Sequence, residues 1–392
     1  MLWTWAGFIV SLVTILIVSK RNLPLGLIGG AIILGVFTLP FSSVLNQISK
    51  TLSDPTVLII AAAMGIIPLL GGVMKESGEI DLLINNVRLP KRTLLPFSAS
   101  IMGLLPMPGG ALLSAPIVDK AGGKGVDGEL KGFINVWFRH LFILIYPLEP
   151  ALIVATKMSN LDLYVAMLYL FPVVILAAIL GYIFFLRKVN GRPNFIGRFS
   201  AIDLSIPLVI ITIAPITDFL LKRLLGIGAV STLIGVSTAL LLAILLRRRS
   251  FDMKKIVFKM RPWNFSLIII GMFLYQHIFM QTNAGTAISQ LPLPILTLSM
   301  CGGFLLGFFT GRVQLPASIV IPIYLASGDI ITPGIFALLY SSVYFGYIMS
   351  PAHPCLVVTC EYFKMPVRLM VGRLAGPATV VFGVVLGLSY LF

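Results

Sequence analysis

Stretches of about 20 apolar residues, bounded by charged or turn residues, recur twelve times along the chain, at 2–19, 23–40, 55–74, 93–118, 132–157, 164–186, 202–221, 224–246, 263–283, 293–326, 334–361 and 366–392. Each is long enough to cross a hydrocarbon layer as a helix. Two of them are broken at their middle, 93–118 by Leu105-Pro106-Met107-Pro108-Gly109-Gly110 and 293–326 by Thr310-Gly311-Arg312-Val313-Gln314-Leu315-Pro316. Proline removes a helical hydrogen bond and clashes with the preceding turn, so neither should be one continuous helix. Each is expected to enter the membrane, turn and leave on the same side. The pattern predicts an all-α polytopic membrane protein of ten transmembrane helices and two re-entrant hairpins.

Composition agrees. Of 392 residues, 58% are hydrophobic and 11% charged, against about 25% charged in a soluble domain. Lys and Arg number 29 against 14 Asp and Glu, a net charge of +15, and the loops account for it. If both broken segments crossed, the two faces would hold 12 and 15 basic residues; as hairpins they give 23 and 4, with Arg139 and Arg312 left inside. Only the second split follows the positive-inside rule. It places both termini outside, the rich face in the cytoplasm and the protein in the cell membrane, and it needs no nucleic-acid partner. Cys301, Cys355 and Cys360 lie in apolar runs and imply no disulfide framework. No basic residue precedes the first apolar run, so no cleavable signal is expected.

Two further segments, 132–157 and 334–361, are also odd and show a repeat. Tyr146-Pro147-Leu148-Glu149-Pro150 lies 204 positions before Ser350-Pro351-Ala352-His353-Pro354, with both prolines in register. Similar spacing pairs Lys20-Arg21 with Lys222-Arg223, and the hairpin ending at Pro116 with that ending at Pro322. The chain thus divides into repeats 1–195 and 196–392, each with five crossings and one hairpin. An odd number of crossings inverts the second repeat: hairpin 93–118 opens to the cytoplasm and 293–326 outward. Inverted repeats with interrupted helices build secondary transporters, whose site forms where the breaks meet. Free N–H and C=O groups at such breaks cost several kcal/mol each in hydrocarbon unless satisfied, so they should line a wet cavity.

Ionisable residues at these breaks are the site candidates. Arg312, at the tip of the second hairpin, is a guanidinium able to grip a carboxylate through two hydrogen bonds; the alternative is a structural ion pair with Glu149. Glu149 and His353 hold equivalent places between paired prolines and suit a coupling cation or proton, or the capping of loose backbone groups; Tyr146 is a neighbouring coupling-ion candidate. Gly109, Gly110 and Ser114 offer amides and a hydroxyl at the first hairpin tip, and Thr310, Gln314 and Ser350 polar groups at the other breaks. Arg139-His140 reaches the cavity, or Arg139 snorkels against an acidic loop residue. Three scattered histidines predict no metal site, and no cofactor is expected beyond Na+ or H+ as coupling ion. Lys75 to Arg92 suits a helix lying at the cytoplasmic interface, Arg247 to Arg261 a basic loop on lipid headgroups, and Gly372-x-x-x-Gly376 with Gly383-x-x-x-Gly387 close helix packing.

The repeat, the two hairpins and the Pro-x-x-Pro breaks resemble the ion transporter superfamily of gluconate permeases, citrate and dicarboxylate carriers, and arsenite and sodium/proton antiporters. Within it, the chain resembles a family of uncharacterised prokaryotic integral membrane proteins. The resemblance implies a homodimer with a scaffold and a mobile transport unit, elevator-like alternating access, and sodium or proton coupling. The Ser-Asn-Thr hairpin tips of the dicarboxylate carriers are replaced here by Pro108-Gly109-Gly110 and Gly311-Arg312-Val313, so neither their sodium sites nor their substrate preference carries over. The expected function is cation-coupled symport of a small organic anion. A sodium/proton antiporter wants paired intramembrane acids, where the breaks offer one. An uncoupled channel is a further alternative. An intramembrane enzyme lacks its motifs: neither His-Glu-x-x-His nor Gly-x-Ser-x-Gly occurs.

Overall fold

A computed structural model of the protein describes residues 2–105, 110–193 and 199–391, and among them every regular element is helical. The first half runs α1 (Leu2–Val18), α2 (Leu23–Thr38), α3 (Phe41–Ser53), α4 (Pro55–Glu76), α5 (Glu79–Asn86), α6 (Lys91–Gly103), α7 (Ala111–Gly122), α8 (Gly128–Leu141), α9 (Pro150–Met158) and α10 (Leu163–Gly181). The second runs α11 (Ala201–Leu225), α12 (Ala229–Leu245), α13 (Met253–Met260), α14 (Pro262–Phe279), α15 (Ala284–Ser289), α16 (Ile295–Thr310), α17 (Gln314–Leu325), α18 (Pro333–Ile348), α19 (Pro354–Phe363) and α20 (Val367–Leu388). The order of long helices, helix pairs and breaks in α1–α10 recurs in α11–α20. The contacts recur with it: α2 packs on α14 as α12 does on α4, and α7 on α19 as α17 does on α9.

Helix starts follow the local chemistry. Asp54, Asp127, Asp162 and Asp252 each accept backbone N–H bonds at the first turn of α4, α8, α10 and α13, and Pro55, Pro150, Pro262, Pro333 and Pro354 sit where the first N–H has no helical acceptor. Both odd segments fold back on themselves. A Cβ built on Gly125, just beyond α7, would lie 3.1 Å from Nζ of Lys91 at the start of α6. One built on Gly303 of α16 would lie 3.5 Å from a methyl of Val320 on α17. The paired helices α8–α9 and α18–α19 are each interrupted by a short non-helical stretch before a proline.

Six helical stretches among the described residues are long and apolar enough to cross a membrane, and further apolar helices are shorter. Their burial separates inner from outer: 72% of the apolar window of α4 is buried, against 28% for α11. The outer helices present Leu168, Phe171, Ile175 and Ile179 on α10, and Leu220 and Leu224 on α11, to the surroundings. So much exposed apolar surface would drive aggregation in water and is at home in hydrocarbon. The ion pairs respect the faces given by the loop charges. Lys131–Asp119, Arg248–Asp203 and Lys259–Glu76 join segments of the basic-rich face, and Arg223–Asp162 joins segments of the other.

Two features depart from the hydropathy reading. Helices α3 and α13 are separate elements whose polar residues hide them from an apolar-window search; both are amphipathic. The apolar segment 202–221 also carries a fully buried acid. Asp218 accepts hydrogen bonds from Ser231 (2.7 Å), Thr232 (2.7 Å) and Tyr164 (2.6 Å), and pairs with Lys222 at 2.8 Å. One carboxylate therefore ties α10, α11 and α12 together. Asp218→Ala should lower stability by about 3 kcal/mol or more, since it orphans several buried partners at once. Thermal unfolding in detergent measures the loss, and Asp218→Asn, which keeps acceptor capacity, should lose less.

Candidate functional site

Three chain breaks meet around one cavity, which Gly103 at the end of α6 also borders. In the first half, α8 ends at Leu141, a 3-10 turn carries the chain to Ile145, and Pro150 opens α9. Proline keeps the residue before it out of the helical region, so Glu149 is extended (φ −73°, ψ 118°) and caps α9, its Oε1 accepting from the Ala151 N–H at 3.5 Å. In the second half, α16 stops at Gly311, which takes left-handed φ and ψ (60° and 32°), and Gln314 opens α17. His353 is likewise extended before Pro354 opens α19, but its side chain makes no cap hydrogen bond.

A cavity of about 250 Å³ lies where these ends converge. Arg312 and Gln314 reach it from the second hairpin, Glu149 from the break before α9, and His353 and Cys355 from the start of α19. Arg139 and His140 of α8 and Tyr347 of α18 complete its polar wall. Arg139 is buried, and its Nη1 donates to the Gly110 carbonyl at 2.8 Å, so it holds the end of the first hairpin. Arg312 is half-buried, and among the described residues its guanidinium makes no ion pair and no hydrogen bond. The His353 ring packs edge-to-face on His140 and at a tilt on Tyr347, with ring centroids at 4.5 and 4.1 Å.

Two arginines and one glutamate thus line the same cavity. Pro150, Gln314 and Pro354, the first residues of α9, α17 and α19, also line it. Helix N-termini carry partial positive charge and free N–H groups.

Of the residues predicted from sequence, Arg312, Gln314, Glu149 and His353 come together on this wall. Gly110 stands behind it against Arg139, and Gly109 lies outside the described residues. Four others stay off the wall. Ser114 is buried within the first hairpin, and the Thr310 hydroxyl turns to the Arg312 carbonyl at 3.4 Å. Ser350 accepts from the Ala352 N–H at 3.1 Å, and the Tyr146 carbonyl accepts from the Glu149 N–H at 2.9 Å. These groups shape the breaks from behind. Arg312 and Glu149 form no ion pair with each other, and Arg139 neither snorkels nor meets an acid, because the Gly110 carbonyl occupies it. Tyr347 and Cys355 were missed; their one sequence signal is closeness to His353.

A larger cavity, about 310 Å³, opens beside Asp162, Lys222 and Thr232. Lys222 there is already paired with Asp218, which leaves it little to offer a ligand.

No curated protein matches the sequence. Among solved structures, the chain is distantly similar to the YdaH transporter of Alcanivorax borkumensis, described as having an unusual topology, with 11% identity over 89% of this chain and 86% of that one and a TM-score of 0.45. Residues 5–391 match the family described as protein of unknown function (DUF401), and the chain belongs to that family.

Proposed function

We propose that the protein is a secondary transporter of a small organic anion, coupled to protons or sodium and working by elevator-like alternating access. The observation that carries this reading is the convergence of Arg139, Arg312 and three half-helix N-termini on one cavity lined by a single carboxylate, Glu149, among the described residues. Such breaks at mid-depth are how transporters expose backbone N–H groups to an anionic substrate. Arg312 supplies the grip, and Gln314 and the start of α17 orient the anion. Arg139 fixes the first hairpin and adds charge.

In this proposal the chain has ten crossings and two re-entrant hairpins in inverted repeats 1–195 and 196–392. Both termini are outside the cell membrane, and the architecture is that of the ion transporter superfamily. The elevator unit comprises the two hairpins with α8–α9 and α18–α19. A homodimer forms through the outer helices, where a Cβ on Gly372, Gly383 or Gly387 of α20 would meet nothing within 4 Å among the described residues. An antiporter binding only cations would leave the Arg312 guanidinium without a role.

Glu149 is the coupling group. Its carboxylate needs a proton or a metal cation whenever the cavity closes around it, because an unpaired charge is expensive there. Glu149→Gln keeps the cap acceptor for Ala151 but cannot exchange a proton. Uptake into proteoliposomes should then fall to the rate seen without an imposed pH or sodium gradient; gradient dependence equal to wild type would move coupling away from Glu149. The anion itself is found by thermal shift in detergent with sugar acids, hydroxy acids and dicarboxylates, each with and without sodium. Stabilisation by none of them would count against an anion site.

A further inference from the structure

We propose that His140, His353 and Cys355 form a binding site for a transition-metal ion of the Zn2+ type on the cavity wall. The residues come from α8 and from the start of α19, 213 positions apart at their closest in sequence. One ligand atom from each lies within 4.8 Å of the other two. Ligand atoms around a tetrahedral zinc, with bonds of about 2.0–2.3 Å, sit roughly 3.5 Å apart, so a contraction of about 1 Å closes the site.

The state of each side chain points to a ligand. His353 is fully buried, and neither of its ring nitrogens has a hydrogen-bond partner. A buried imidazole with both polar atoms unmet is costly, and a bound ion satisfies the lone pair. His140 is also buried, and its Nδ1 lies 2.6 Å from the Val136 carbonyl. That bond puts the proton on Nδ1 and leaves Nε2 with its lone pair free, the arrangement by which a metal-binding histidine is oriented from behind. Cys355, half-buried, faces the cavity.

Two imidazoles and a thiol select a borderline or soft ion over Mg2+ or Ca2+. Three protein ligands leave a fourth position open, as in exchangeable rather than structural zinc sites. Because the cavity borders the cluster, a carboxylate held by Arg312 can fill that position. Binding releases the Cys355 proton, and the resulting thiolate joins Glu149 in offsetting the two guanidinium groups. The site goes beyond the transport reading and does not depend on it.

Cobalt titration of the purified full-length protein in detergent tests the assignment without any anion or gradient. We expect one Co2+ per chain with a thiolate-to-cobalt charge-transfer absorption, which Cys355→Ser abolishes and Cys301→Ser and Cys360→Ser leave unchanged. His140→Gln and His353→Gln should each weaken Zn2+ binding at least tenfold, read by competition with a chromogenic chelator. The proposal is overturned if the wild-type protein shows no such absorption, if the absorption survives Cys355→Ser, or if both histidine variants bind Zn2+ as tightly as wild type. Cys355→Ser exchanges a single side-chain atom, so it remains decisive even where a histidine variant does not fold.

Discussion

Replacing Arg312 with alanine should abolish anion uptake into proteoliposomes while leaving expression and thermal stability close to wild type. The two halves of that expectation rest on one observation: the guanidinium lines the cavity and pairs with no acid among the described residues. Its removal therefore orphans no carboxylate and breaks no ion pair, so the folded state has little to lose. The substrate has much to lose, because a two-pronged charge-assisted contact contributes about 3 kcal/mol, roughly a hundredfold in affinity. Arg312→Lys keeps the charge without the fork and should fall between. Uptake undiminished in Arg312→Ala would remove this residue from the site. Joint loss of uptake and stability would make it structural. Uptake is measured with the anion that gives the largest thermal shift.

Much of the fold was legible because its signals are local. A long apolar helix is set apart by its own composition, and the breaks declare themselves through Pro147, Pro150, Pro316, Pro351 and Pro354. Arg312, Glu149 and His353 stood out because ionisable groups are rare amid apolar runs. What stayed hidden depends on contacts between distant segments. Asp218 carries no sequence signal beyond being one acid in an apolar run; its role comes from Tyr164, Ser231 and Thr232 on neighbouring helices. Arg139 could not be assigned from its own helix, since its partner is the carbonyl of Gly110 on a separate hairpin. The approach of His140 to His353 and Cys355 needs the two half-chains packed against each other. Helices α3 and α13 were lost for a different reason: polar residues share their sequence with apolar ones, which an average over 20 positions erases.

The packing of one break against another carries the second large expectation, at Gly311. This residue ends α16 in a left-handed conformation, with its N–H bonded to the Gly307 carbonyl at 2.9 Å. A Cβ there would lie 2.5 Å from the carbonyl carbon of Ala352 and 2.6 Å from the His353 nitrogen, both backbone atoms. Gly311→Ala therefore meets two costs, about 1 kcal/mol for the left-handed backbone and about 1–3 kcal/mol for forcing the second hairpin off the α18–α19 break. The displacement also separates Arg312 from His353, so the folded fraction should transport poorly. Gly302→Ala is the matched control: it lies in the same helix, and its Cβ would find nothing within 4 Å. Helix propensity alone should make that variant neutral or slightly more stable. Thermal unfolding and uptake on both variants decide the matter. If Gly311→Ala unfolds and transports like wild type, the hairpin tip is not seated on the break, and the cavity between them is not where the anion binds.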